Sequence, residues 1–93
     1  MRAARTDANQ TEIVEAIRKT GASVAITSMV GKGFPDLVVG FRNKCFLFEI
    51  KDPNQPPSKR QLTPDQQEFH KFWYGHAKVI ETAEDAFKDM GIL

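Results

Sequence analysis

"GFPDLVVGFRNKCFLFEIKDP", residues 33–53, holds the strongest strand signals in the chain together with its oddest charges. Residues 36–41 and 44–51 are rich in β-branched and aromatic side chains and alternate little, as expected of strands covered on both faces. Yet Asp36 opens the first run, and Glu49 and Lys51 close the second. Charges at such positions cost stability unless they are paired or hold a metal.

Register decides between these options. Residues two apart in a strand share a face, so Glu49 and Lys51 lie with Cys45 and Leu47, while Phe46, Phe48 and Ile50 take the other side. Arg42 and Asn43 stand between the runs and predict a tight hairpin, although the usual Asn-Gly pair is absent. With those two residues as the turn, Phe41 pairs with Lys44, Val38 with Leu47, and Asp36 stands opposite Glu49. A three-residue loop without a bulge would send Asp36 to the other face.

Like charges across a ladder repel, more strongly when partly desolvated, and a cation reverses the sign. Mg²⁺ or Mn²⁺ is commonly held by one or two carboxylates with waters and substrate phosphate. Asp36 and Glu49 supply the pair, the Ile50 carbonyl is a plausible third oxygen, and Lys51 is placed to orient or deprotonate water or to stabilise charge on phosphate. The plainer reading is that Pro35-Asp36 is a turn and that Glu49 and Lys51 form a surface ion pair.

Around this hairpin, residues 7–21 read as a helix with Asp7 as its cap, an Ile13, Val14 and Ile17 stripe, and Gly21 as its stop. Residues 23–28 are short, β-branched and strand-like. After residue 51 the prolines at 53, 56, 57 and 64 predict an exposed linker. Thr63 caps a second helix with Pro64 at its first position, an apolar face of Phe69, Phe72 and Trp73, and Gly75 as its end. Residues 77–81 form a last strand, and Thr82 and Gly91 bracket a last helix. The order αβββαβα predicts an α/β fold, a small mixed sheet with helices on both faces.

At 93 residues the chain reads as one domain spanning residues 1–93, burying roughly 65% of its unfolded surface, so a partner subunit would help. One cysteine, Cys45, excludes an internal disulfide framework and reads as a buried, reduced thiol of a cytoplasmic protein. No apolar run reaches the roughly 20 residues of a membrane span, and the basic start lacks the core of a signal peptide. The net charge of +1 neither favours nor excludes nucleic acid. Arg2, Arg5, Lys32, Lys59 and Arg60 make one side of the sequence basic, and Lys32, Lys59 and Arg60 are candidate phosphate contacts. His70 and His76 have no evident sequence partner for metal or acid–base work.

"PD" at 35–36 and "EIK" at 49–51 resemble the PD-(D/E)xK nuclease superfamily, whose αβββαβ core matches residues 9–81. "GFPDLVV", "FLFEIKDP" and a proline-rich linker into "LTPDQQEFHKFW" look like the VRR-NUC family of virus-type replication and repair nucleases, over nearly the whole chain. The resemblance implies a restriction-endonuclease-like fold that hydrolyses DNA with Mg²⁺ or Mn²⁺ and no nucleotide cofactor. It assigns Asp36, Glu49 and the Ile50 carbonyl to the metal, and Lys51 to the water or scissile phosphate. Glu12 becomes the superfamily's helix acid, and Gln66, with Gln67 as its competitor, the family glutamine near the site.

Stand-alone members resemble phage Holliday junction resolvases that act as homodimers, so the implied substrate is branched DNA, a four-way junction cut by two sites at fixed spacing. Phe69, Phe72, Trp73 and Tyr74 could supply the interface, although such a stripe more often packs in a core. Two rival functions remain at this point: a non-catalytic DNA-binding or assembly module with a nuclease fold, and a flap or nicking nuclease.

Overall fold

The hairpin turns on two residues. In the computed structural model, which describes residues 7–92, Arg42 and Asn43 have φ of 53° and 64°. Both are left-handed, as a type I′ turn demands, even with no glycine present. Asn tolerates this conformation; Arg does so less readily, and its guanidinium lies 4.7 Å from the centre of the Phe41 ring. The turn joins β2 (Leu37–Phe41) to β3 (Lys44–Ile50) in the expected register, Phe41 against Lys44 through Leu37 against Phe48.

Strand β1 (Ser23–Ile26) pairs antiparallel with β2, and β4 (Lys78–Ile80) runs parallel to β3. The sheet order is β1-β2-β3-β4. A parallel pair needs a crossover, and here it contains a short 3₁₀ turn (Pro57–Lys59) and α2 (Pro64–Phe72). The molecule is thus an α/β fold with a small mixed sheet and the expected αβββαβα order.

Helices α1 (Gln10–Lys19) and α3 (Ala83–Met90) cover one face of the sheet. Ile13, Val14 and Ile17 of α1 meet Leu37, Val39, Phe46, Phe48, Ile50 and Ile80 from the strands, with Ala86 and Met90 of α3. Each fully buried large side chain contributes about 1.5–3 kcal/mol. The other face is covered only towards the end of β3, where Gln66 of α2 reaches Glu49 and Lys51. Residues 46–50 are therefore all buried, whereas Lys44 and Cys45 near the hairpin tip are exposed. This corrects the expectation of a buried thiol: an apolar sequence neighbourhood does not bury Cys45 where no helix lies over it.

The ends of the helices hold further corrections. The N-cap of α1 is Asn9 rather than Asp7, and its amide turns away from the helix. Asn9 Nδ2 donates to the Lys51 carbonyl at 3.2 Å and to the Glu81 carbonyl at 2.8 Å, tying the chain just beyond β3 to that beyond β4. Thr63 and Gln66 form a capping box on α2, and Thr82 and Asp85 one on α3. Helix α2 ends before Gly75 because Trp73 is already extended. None of its residues is buried, so the expected apolar face is open at Phe72 and Trp73.

His76 completes the sheet where β4 has not yet begun. Its Nδ1 accepts the Leu47 N–H at 2.9 Å, so its hydrogen is on Nε2, which pairs with Asp89. Among the described residues no helix is long and apolar enough to cross a membrane. Arg2 and Arg5 lie outside those residues.

Candidate active site

Beyond Leu37 and Phe48 the hairpin ladder changes character. Continuing the register places Asp36 beside Glu49 and Pro35 beside Ile50. The Lys51 N–H donates to Ile80 on β4 at 2.9 Å, so the N–H and carbonyl of Ile50 point the other way, towards β2. Pro35 has no N–H to offer the Ile50 carbonyl. The Ile50 N–H instead donates to Asp36 Oδ2 at 2.8 Å. The "PD" pair thereby ends the ladder, holds the Asp36 carboxylate, and leaves the Ile50 carbonyl facing the same side.

Glu49 is only 2% exposed. Its Oε2 accepts from Gln66 Nε2 at 3.1 Å and lies 4.0 Å from Lys51 Nζ. Its Oε1 is buried and receives no donor from the described residues, while the protonated carboxyl hydrogen-bonds to Asp36. Burial, then the hydrogen bond and charge of Asp36, push the Glu49 carboxyl up to about 9; Lys51 opposes the rise and Asp7 adds to it. Lys51, 8% exposed, donates from Nζ to Gln66 Oε1 at 2.8 Å.

Gln66 links the group. Its carbonyl oxygen accepts from Lys51 and from the Thr63 N–H, and its amide donates to Glu49. Helix capping and site geometry thus depend on one side chain. Gln67 donates instead to the Leu62 carbonyl at 2.9 Å, which decides between the two glutamines.

Asp36, Glu49, Ile50, Lys51 and Gln66 therefore converge. Glu12 does not. Gln10, Ile13, Val14 and Ile17 form the buried stripe of α1, and at about 100° per residue Glu12 projects from the opposite side; it is exposed. The acid at this end of α1 that acts on Glu49 is Asp7. Arg60 is half-buried, its guanidinium 3.5 Å from Glu81, so it pins the linker to the end of β4. Lys59 and Lys32 are exposed.

His70, without an evident partner in the sequence, is tied to the site only by its position one turn beyond Gln66 on α2. Burial and then Lys51 lower its imidazole below the ordinary value of 6.5, and its Nε2 is buried without a partner among the described residues. A histidine held neutral beside an ammonium adds no competing charge to the site.

Among the described residues no group of three or more His, Cys, Asp or Glu side chains is placed to hold a metal ion. The donor set is smaller: two carboxylates and a backbone carbonyl. It nevertheless fits a hard divalent cation, because two adjacent carboxyl groups that cannot both ionise unaided are the pair whose repulsion such an ion relieves. No protein-family model, curated protein or solved structure matches the chain.

Proposed function

We propose that the chain is a metal-dependent DNA endonuclease of the VRR-NUC type, selective for branched DNA and acting on four-way junctions as a homodimer in the cytoplasm. The observation that supports the metal-dependent part is the pairing of Asp36 with the buried Glu49, two carboxyl groups brought together at one end of the hairpin; the branched-DNA part follows from the resemblance. A structural ion pair has no need of a second, half-buried carboxylate, whereas a cation does. Asp36, Glu49 and the Ile50 carbonyl would hold Mg²⁺ or Mn²⁺. When bound, the ion supplies Lewis-acid polarisation of phosphate and a lowered pKa for water.

The protein's own groups do the rest. Gln66 holds Lys51 Nζ on the Glu49 side of the hairpin, and one of the three ammonium hydrogens is used there. The others serve the scissile phosphate, where they stabilise charge that builds as water oxygen attacks phosphorus and the P–O ester bond breaks. Asp36 is fixed by the Ile50 N–H and does not need to reorganise, whereas Glu49 would have to give up its proton to serve as a ligand. A twofold dimer would present two such sites to a symmetric junction.

The test is a panel of duplex, flap and four-way junction DNA with EDTA, Mg²⁺ or Mn²⁺, run alongside size measurement of the protein. Metal-dependent symmetric nicking of the junction by a dimer is expected. DNA binding with no nicking under any condition would leave a binding module with a nuclease fold instead. Preference for flaps would make it a flap nuclease.

A further inference from the structure

Helix α2 has a second feature beyond Gln66. Lys32, Glu68, Phe69, Phe72 and Trp73 line a shallow cavity of about 230 Å³. Two of its rings are held in place: Trp73 stacks on Phe69 with centroids 4.9 Å apart, and Phe34 meets both edge-on. The Trp73 indole N–H donates to the His76 carbonyl at 3.1 Å. Even so, Phe72 is 64% and Trp73 42% exposed. Cations flank these rings. Lys71 Nζ lies 5.4 Å from the centre of Phe72, and Lys32 sits on a loop locked to α2 by Gly33, whose α-carbon faces the Asp65 carbonyl too closely for any side chain.

We propose that this cavity takes an unpaired nucleobase, with the adjoining phosphates neutralised by Lys32 and Lys71. Fixed aromatic faces bordered by cations are how proteins hold single-stranded DNA without reading its sequence. Glu68 opposes a phosphate inside the cavity, which leaves the neutral base as the group that enters and the backbone outside at the lysines. A second copy of the chain fits less well, since lysines are depleted at the centres of protein interfaces.

The inference rests on the nuclease reading for its ligand, DNA, and deepens it by naming how branched substrates are chosen. Phe72 lies six residues beyond Gln66, about 9 Å along the helix at 1.5 Å per residue. A strand passing the site thus comes within a few nucleotides of the rings. Duplex DNA has no unpaired base to offer there, whereas a junction, flap or frayed end does.

Trp73 is the chain's one tryptophan, so its emission reports on this cavity. The full chain in EDTA is titrated with oligothymidylate and with a duplex of equal length. Oligothymidylate is expected to quench Trp73 at a concentration about tenfold lower than the duplex. Phe72→Ala should weaken that binding about tenfold with the melting temperature unchanged, and Phe72→Tyr should restore it. Equal quenching by duplex, unchanged affinity in Phe72→Ala, or conversion of a dimer to a monomer by that change would each overturn the proposal, the last by assigning the patch to a second copy. Quenching without Mn²⁺-dependent nicking would sink the nuclease reading alone, and nicking without quenching would sink the base site alone.

Discussion

Asp36 accepts the backbone N–H of Ile50 at 2.8 Å, so one carboxylate both ends the β2–β3 ladder and faces the candidate cation site. These roles separate on mutation. Asp36→Asn retains an acceptor for the Ile50 N–H and should stay within about 1 kcal/mol of wild type. Asp36→Ala strands that N–H and should lose about 1–3 kcal/mol. Both should lose Mn²⁺-induced thermal stabilisation and nicking. Urea unfolding with and without Mn²⁺ checks this, and equal stability of the two variants would refute the ladder role.

Glu49 predicts a pH dependence. Its carboxyl titrates near 9 in the folded chain and near 4.3 when unfolded. Between those values the folded state keeps a proton that the unfolded state has lost, so rising pH favours unfolding. The stability Glu49 contributes is complete below about pH 4.3 and is lost as pH climbs through about 9. Glu49→Gln removes this liability. In EDTA its melting temperature should exceed that of wild type by a margin that widens from pH 5 to pH 9, while nicking is lost and DNA binding is kept. A constant margin would show that Glu49 is ionised in the fold.

The hairpin was legible because β-structure has a period of two and a two-residue turn fixes register, which sufficed to bring Asp36 to Glu49 and Lys51 to the same face. The N-caps Thr63 and Thr82 were legible for a similar reason, being local in sequence. What was not legible depends on how elements pack. Glu12 looked suitable by residue type, but only the buried stripe of α1 shows that it points away. Asp7 acts on the charge of Glu49 through tertiary placement of the segment before α1, and Cys45 is exposed because α2 covers only one end of β3.

Gln66 should matter far more than Gln67, although they are neighbours in sequence. Gln66→Ala removes the contacts to Glu49 and Lys51 and half of the α2 capping box. Nicking should fall about 10- to 100-fold, the cost typical of a residue that orients a metal site, with stability lower by about 1 kcal/mol. Gln67→Ala loses one exposed bond to Leu62 and should change nicking less than about twofold. Single-turnover rates on one junction substrate compare them directly.

Gly33→Ala tests whether the loop between β1 and β2 helps set the site from a distance. Gly33 has φ of 75°, and an added Cβ would lie 2.2 Å from the Asp65 carbonyl oxygen in the first turn of α2. Backbone cannot yield as a flexible side chain would, so the loop and the helix must separate. A left-handed alanine adds about 1–2 kcal/mol, and the clash adds more. Because Gln66 follows Asp65, the displacement reaches Lys51 and Glu49 without touching either. The expected result is a loss of more than about 2 kcal/mol together with weaker nicking. Gly31→Ala, also left-handed at 86° but with nothing within 4 Å of the added atom, should cost only the conformational part and leave nicking unchanged. If the two variants nick at equal rates, the loop does not position α2 over the site.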